Sequence, residues 1–296
     1  MDLVISLPRI PAIGETVLGG KSSMVFGGKG ANQAVSAVRS GGNIAFITKV
    51  GEDLFGFNMK DHFKTEGLPT HLILSDPEEP TGIAQIFVSE KGENSIAVAP
   101  GANMKLLPKD LFDFENIIIN AHVILLQLEI PIETIEYVAD IAFKNNVKVI
   151  LNPAPAQKLA DELLQKVWMI TPNETEADLL TGQQVVDERS AEKAAMQLLA
   201  KGVKNVIITM GDSGCLLSNE NGHKHFSAFK ANAVDTTAAG DVFNGTLAVD
   251  ITKGKSLDEA ILFASAAAAI SVTREGAQPS IPKADEITEF INESNK

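Results

Sequence analysis

The sequence holds one cysteine, one tryptophan and one tyrosine. A single cysteine excludes an intramolecular disulfide and a cysteine-built metal site. Cys215 stands in the apolar, strand-like run Gly-Cys-Leu-Leu and reads as core. Basic residues are outnumbered 25 to 38, for a net charge of −13. A nucleic-acid backbone needs clustered Lys and Arg, so nucleic acid is not expected as a partner. Phosphate stays open, because backbone amides and one or two cations can hold it. Long apolar runs are missing too. Phe263 to Val272 is short and rich in Ala and Ser, whereas a bilayer takes roughly 20 residues. Met1-Asp2-Leu3-Val4 has no basic leader and no cleavage-like site. The expectation is a cytoplasmic protein with no membrane partner. The five histidines do not cluster. His223 and His225 share a strand face but have no third ligand in view, and read as a solvated edge.

What is present is the composition of a globular chain: 45% hydrophobic and 21% charged over 296 residues. That length allows one large α/β domain or two small ones. Candidate strands cover Ile44 to Val50, Val123 to Glu129, Val147 to Leu151, Val167 to Thr171 and Asn205 to Met210. Helical patterns separate them, one opening at Pro131 and running toward Asn146. Short apolar strands with intervening helices give βαβ units and a mostly parallel sheet covered on both faces. Two segments break this pattern. Residues 3–26 have no helix-length periodicity, and residues 81–98 alternate as strand, turn, strand. They read as a small antiparallel sheet, either a lid over a cleft or an edge extension or dimer contact.

The strongest local signal is Val234-Asp-Thr-Thr-Ala-Ala-Gly-Asp-Val-Phe-Asn-Gly245. Ala238, Ala239 and Gly240 are small enough for backbone to approach a ligand. The helix that follows offers unpaired N–H groups and a partial positive end. Asp241 would sit beside this anion hole, kept ionised by the helix N-terminus. It could take a proton from a substrate hydroxyl while the amides hold a transferring phosphoryl group. A capping Asp in a tight turn is the plain structural alternative.

A second signal is Phe26-Gly-Gly-Lys-Gly-Ala-Asn-Gln-Ala-Val35. It is neither a Walker A loop nor a dinucleotide fingerprint. It is a close-approach turn with Lys29 and Asn32 projecting together, which suits a polyhydroxy ligand. Thr171-Pro-Asn-Glu-Thr-Glu176 has the form of a capping box, Asn173 with Glu176, and so does Ser256 with Glu259. Glu129 closes a strand at its C-terminal end, where open parallel sheets bind ligands.

These pieces, in this order, resemble the ribokinase family, the PfkB-type carbohydrate kinases. The two signatures are Gly27-Gly-Lys-Gly-Ala-Asn-Gln33 and Asp235-Thr-Thr-Ala-Ala-Gly-Asp241. Between them stand Leu126-Gln-Leu-Glu129, Asn152-Pro-Ala-Pro-Ala156, Thr171-Pro-Asn-Glu-Thr-Glu176 and Thr209-Met-Gly211. Val272-Thr-Arg-Glu-Gly-Ala-Gln-Pro-Ser280 comes after. The resemblance implies a single ribokinase-like α/β domain over residues 1–296, with lid strands from about 3–26 and 81–98. It implies ATP-dependent phosphorylation of D-ribose at the 5-hydroxyl, with Mg²⁺ and an activating K⁺. By position, Asp241 matches the general base, and Ala238, Ala239 and Gly240 the anion hole. Asp2, Gly28, Lys29, Asn32, Glu129 and Asp241 match sugar-binding positions. Asn173, Thr209, Met210, Gly211, Asp212, Ser213, Gly214 and Gly240 match ATP-binding positions. Glu176 matches a residue acting on Mg²⁺ through water. Asp235, Thr237, Ser271, Arg274, Gly276 and Ser280 match the K⁺ site. The lid implies a homodimer.

The chain departs from the family pattern at two places. Thr246 stands where a small Ala or Gly is usual. At the start, only Asp2 has a counterpart in the family's Gly-Ser-x-Asn-x-Asp, and the apolar strand before it has none. The expectation is unpaired backbone or an apolar sheet edge where that strand would lie, and a frayed Asp2. A related kinase acting on fructose, deoxyribose or a nucleoside stays open, as does a low-activity sugar-binding paralogue.

Overall fold

A computed structural model describes residues 1–294. In chain order the elements are β1 (Asp2–Leu7), β2 (Lys21–Val25), α1 (Lys29–Arg39), β3 (Thr48–Gly51), α2 (Leu54–Thr65), β4 (Ile73–Asp76), β5 (Ile83–Ser89), β6 (Asn94–Ala99) and α3 (Glu115–Ile119). Then come β7 (Val123–Leu126), α4 (Ile132–Lys144), β8 (Lys148–Leu151), α5 (Asp161–Leu164), β9 (Met169–Ile170), α6 (Glu174–Thr181) and α7 (Glu188–Ala200). β10 (Asn205–Thr209), β11 (Cys215–Asn219), β12 (Gly222–Phe226), α8 (Ala239–Thr252), α9 (Leu257–Ser271) and α10 (Ala284–Ser294) complete the chain.

The main sheet has the order β12-β11-β10-β9-β8-β7. β7 to β10 run parallel, and β11 and β12 add an antiparallel meander. Alternate residues of one strand go to opposite faces, and the core divides accordingly. Val149 and Leu151 of β8 pack with the α4, α6 and α7 side, whereas Ile150 packs with α8 and α9. Val206 and Ile208 of β10 divide from Ile207 in the same way. The sheet is therefore covered on both faces, and its strands are short runs of Val, Ile and Leu because neither side meets water. Cys215 is buried on the α8–α9 side, as expected. Trp168, just before β9, is half-buried with the Lys148 ammonium 4.6 Å from its ring centre.

β3 and β4 form a separate parallel pair. Among the described residues β3 pairs with β4 alone and β7 with β8 alone, so each ends a sheet. The two sheets still share one core, since Ile47 and Leu74 pack into the same cluster as Ile124.

The segments without helix periodicity do form a small sheet, in the order β2-β1-β5-β6. It is mixed rather than antiparallel. β1 pairs antiparallel with β2 but parallel with β5, from Asp2 opposite Ala84 to Leu7 opposite Ser89. Between β1 and β5 the chain passes through β2, α1, β3, α2 and β4, a connection long enough for β5 to re-enter parallel to β1. Asp2 is not frayed. It is paired on both sides, and the Met1 ammonium donates to the Gly82 carbonyl at 3.0 Å.

The site is positioned mainly by α1 against α8. A Cβ on Gly245 would lie 2.4 Å from the Gln33 carbonyl, so only glycine allows the helices this close. Thr246 fits rather than intrudes: its hydroxyl is 3.2 Å from that of Ser36 and 3.0 Å from that of Ser40. Ser36 also donates to the Val242 carbonyl at 3.0 Å.

Candidate active site

The first turn of α8 is the centre. Ala238 precedes the helix in the left-handed conformation at φ 62°, which turns the chain sharply into it. The Ala239 amide donates back to Thr236 at 3.3 Å, and Val242 donates to Ala238 at 2.8 Å. Among the described residues the Gly240 and Asp241 amides find no backbone carbonyl, so they are the free donors of this helix end. Nothing lies within 4 Å of where a Cβ on Gly240 would be, which leaves its amide open to a ligand.

Asp241 is 6% exposed. Its Oδ2 accepts from Asn32 Nδ2 at 3.0 Å and its Oδ1 from Gln33 Nε2 at 2.9 Å. Burial pushes its carboxyl up, opposed by the Lys29 charge and the two amide donors. Desolvation thus outweighs the helix-end effect on which the sequence expectation relied. Asn32 spends its amino group on Asp241, and its Oδ1 is buried without a partner in the protein. A buried acceptor left this way calls for a donor from a ligand, as a hydroxyl group would offer.

The glycine turn delivers the next pieces. Gly28 has φ 96°, a conformation that favours glycine, and its carbonyl starts α1 by accepting from Asn32 at 2.9 Å. The Lys29 amide donates to Glu129 Oε2 at 2.9 Å, across from the end of β7. Burial pushes the Glu129 carboxyl up, and the Lys29 amide and charge oppose it. Asp2 packs against Gly27, where any Cβ would fall 2.0 Å from the carboxylate. Its carboxyl is also raised by burial, lowered by the amino terminus and raised by Asp241. Asp2, Gly28, Lys29, Asn32, Glu129 and Asp241 are therefore one cluster, assembled from β1, α1, the end of β7 and α8.

Asn173 and Glu176 form the expected capping box at α6: Oδ1 accepts from the Glu176 amide at 2.8 Å, and Oε2 from the Asn173 amide at 2.9 Å. Ser256 and Glu259 do the same at α9. Glu176 is also buried, its carboxyl raised by burial, with Lys29 and Asp241 both acting on it. It thus faces the cluster as well as capping a helix. Asn173 bridges Thr209 at the end of β10. From there Thr209 to Gly214 make a tight turn, Met210 donating to Gly214 at 2.8 Å. Asp212 lines an open cleft of about 460 Å³ with Phe229, Lys230 and Asn232.

Behind α8, Asp235 Oδ1 accepts from the Thr237 amide at 2.9 Å and hydroxyl at 2.6 Å, and Oδ2 from the Gly276 amide at 2.9 Å. The Val272 carbonyl accepts from Val234 and Asp235. Ser271 and Ser280 hydroxyls turn to local carbonyls, and Arg274 pairs with Glu286. Asp235 thus ties the loop before α8 to the loop after α9.

Three buried side chains had no role in the sequence reading: Gln33, Asn152 and Asn244. Each contacts the cluster or its neighbours through side-chain amides. Each lies inside a segment that the sequence singles out, but nothing local in those segments says which partner its amide meets.

Residues 1–284 match the family model described as pfkB family carbohydrate kinase. A ribokinase of Haemophilus influenzae is 48% identical over 290 residues, 98% of this chain and 95% of that protein. The crystal structure of a ribokinase from Thermotoga maritima matches with TM-score 0.91 at 42% identity, covering 98% of this chain and 96% of that one. The structure of Arabidopsis thaliana ribokinase complexed with ribose and ATP matches with TM-score 0.91 at 34% identity, covering 98% and 95%.

Proposed function

The chain belongs to the pfkB family of carbohydrate kinases, and we propose that it transfers the γ-phosphoryl group of ATP to the 5-hydroxyl of D-ribose. The observation that carries this is the buried Asp241 carboxylate in the first turn of α8, beside the free Gly240 and Asp241 amides and the unpartnered Asn32 Oδ1.

Ribose is held by hydroxyl contacts to Asp2, Lys29, Asn32 and Glu129, with the chain free to approach at Gly28. Asp241 takes the proton of the 5-hydroxyl as its oxygen attacks the γ-phosphorus. The leaving oxygen stays on ADP, and the charge on the transferring group is met at the Ala238, Ala239 and Gly240 turn into α8 by the free Gly240 and Asp241 amides, since the Ala239 amide already donates to Thr236. ATP lies along Asn173 and the turn from Thr209 through Met210, Gly211, Asp212 and Ser213 to Gly214. Its terminal phosphates point at Gly240. Burial pushes the Asp241 carboxyl up, and Lys29 offsets part of that cost to its ionised form in a dry site.

Glu176 fits a water-mediated Mg²⁺, because the capping box uses Oε2 and leaves Oε1 for a water. Mg²⁺ would neutralise charge between the β- and γ-phosphates. Asp235, Thr237, Ser271, Arg274, Gly276 and Ser280 surround the loops where carbonyls could hold K⁺, a hard cation suited to oxygen ligands. Its charge there would reinforce the anion hole. We further read the chain as one domain, with the small sheet as lid and as dimer contact. β6 is a wholly exposed edge strand on which Ile96 and Val98 share a face.

The test is ADP release with a panel of D-ribose, 2-deoxyribose, fructose and nucleosides, followed by NMR location of the phosphate on the product. Ribose should give the highest kcat/KM and ribose 5-phosphate. A higher kcat/KM for another member, or phosphate on another oxygen, would replace the ribose reading with that of a related kinase.

A further inference from the structure

Gln33 is 1% exposed and fully committed. Its Nε2 donates to Asp241 Oδ1 at 2.9 Å and to Asn152 Oδ1 at 3.0 Å, and its Oε1 accepts from Gln127 Nε2. An amide with both donors and its acceptor engaged cannot flip without breaking all three bonds, so it has one orientation. Asn152 passes the constraint on. Its Nδ2 donates to the Thr171 carbonyl at 3.3 Å, and the Thr171 hydroxyl donates to Asn244 Oδ1 at 2.6 Å. Asn244 Nδ2 then donates to the Gly240 carbonyl at 2.8 Å. The circuit leaves from the Asp241 carboxylate and returns to the peptide that joins Gly240 to Asp241.

We propose that Gln33 is a positioning residue for phosphoryl transfer, fixing the direction of the Asp241 carboxylate and, through Asn152, Thr171 and Asn244, locking it to the anion-hole peptide. The inference rests on the kinase reading above. A carboxylate turns about its last bond, and a general base acts only when a lone pair meets the hydroxyl within hydrogen-bond reach. Asn32 holds Oδ2, but Asn32 also faces the sugar. Gln33 holds Oδ1, and unlike Asn32 it has every polar side-chain atom paired within the protein. A neutral amide is suited to this, since a cation there would lower the basicity of the carboxylate. The charged groups acting on Asp241 are Lys29, which favours its ionised form, and the carboxylates Glu129, Glu176 and Asp2, which oppose it.

The test compares the full-length wild type with Gln33→Met and Gln33→Glu. Measured are kcat, KM for ATP, ribose Kd by calorimetry, and Tm. Gln33→Met should lower kcat roughly tenfold to a hundredfold, the scale of a misplaced reacting group. Ribose Kd and KM for ATP should stay within about threefold. In Gln33→Glu the two carboxyls share a proton at low pH, so the new side chain can still donate to Asp241, and lose it at high pH. Its activity relative to wild type should be several times greater near about pH 6 than near about pH 8. A Gln33→Met kcat within about threefold of wild type, or a ribose affinity that falls in step with kcat, would overturn the inference. If Gln33→Met does not fold, the pH ratio of Gln33→Glu decides alone, and a flat ratio overturns it. Failure of the wild type to release ADP with ribose would instead remove the kinase reading.

Discussion

The proposed reaction asks Asp241 to be two things at once, a base and a buried charge. Asp241→Asn should reduce kcat by about two to four orders of magnitude, the usual contribution of a general base. Ribose binding should change little. A variant keeping more than about a tenth of wild-type kcat would mean that another group takes the proton. The same substitution probes stability. Burial raises the Asp241 carboxyl above its unfolded value. The folded state therefore keeps that proton more readily, and this contribution is full below the unfolded pKa and lost as pH rises through the folded one. Without ligand, the Tm of Asp241→Asn minus that of wild type should be larger near about pH 8 than near about pH 5. A difference that shrinks with rising pH would show that Lys29, Asn32 and Gln33 outweigh desolvation.

At the level of elements, the α1–α8 contact sets the distance between Asn32 and Gln33 on one helix and Asp241 on the other. Gly245→Ala would place a methyl 2.4 Å from the Gln33 carbonyl and 2.7 Å from Ser36 Cβ. It should cost about 2 kcal/mol in urea unfolding, as overpacking does, and should lower kcat by disturbing Gln33. An unfolding change below about 0.5 kcal/mol would mean that α1 can shift freely. Much at this scale was legible. The strand from Asn205, the helix opened by Pro131, and the caps at Asn173 and Ser256 follow from local pattern and are where they were expected. Asp241 in a first helical turn was legible for the same reason. What escaped is pairing at long range. Gln33 meets Asp241 across 208 positions and Asn152 across 119, and no periodicity encodes that. Likewise alternation in β1 and β5 marks strands without stating that they run parallel. Thr246 looked too large only because its partners Ser36 and Ser40 lie on another helix.

For the molecule as a whole, the small sheet both brings Asp2 into the cluster around Asp241 and presents Ile96 and Val98, 56% and 64% exposed, to the outside. If it pairs two subunits, Ile96→Lys together with Val98→Lys should halve the mass seen by light scattering and weaken ribose binding, while leaving the main sheet folded by circular dichroism. An unchanged mass would remove the dimer from the reading. Cys215 is 2% exposed and burial pushes its thiol up to about 12, so it should resist thiol reagents in the folded protein. Trp168 is the sole indole. A dye on Ser95→Cys of β6 would therefore label one position and, with the indole excited selectively, have one intrinsic energy-transfer donor, so that any movement of the small sheet on adding ribose would become an optical signal that needs no other substitution.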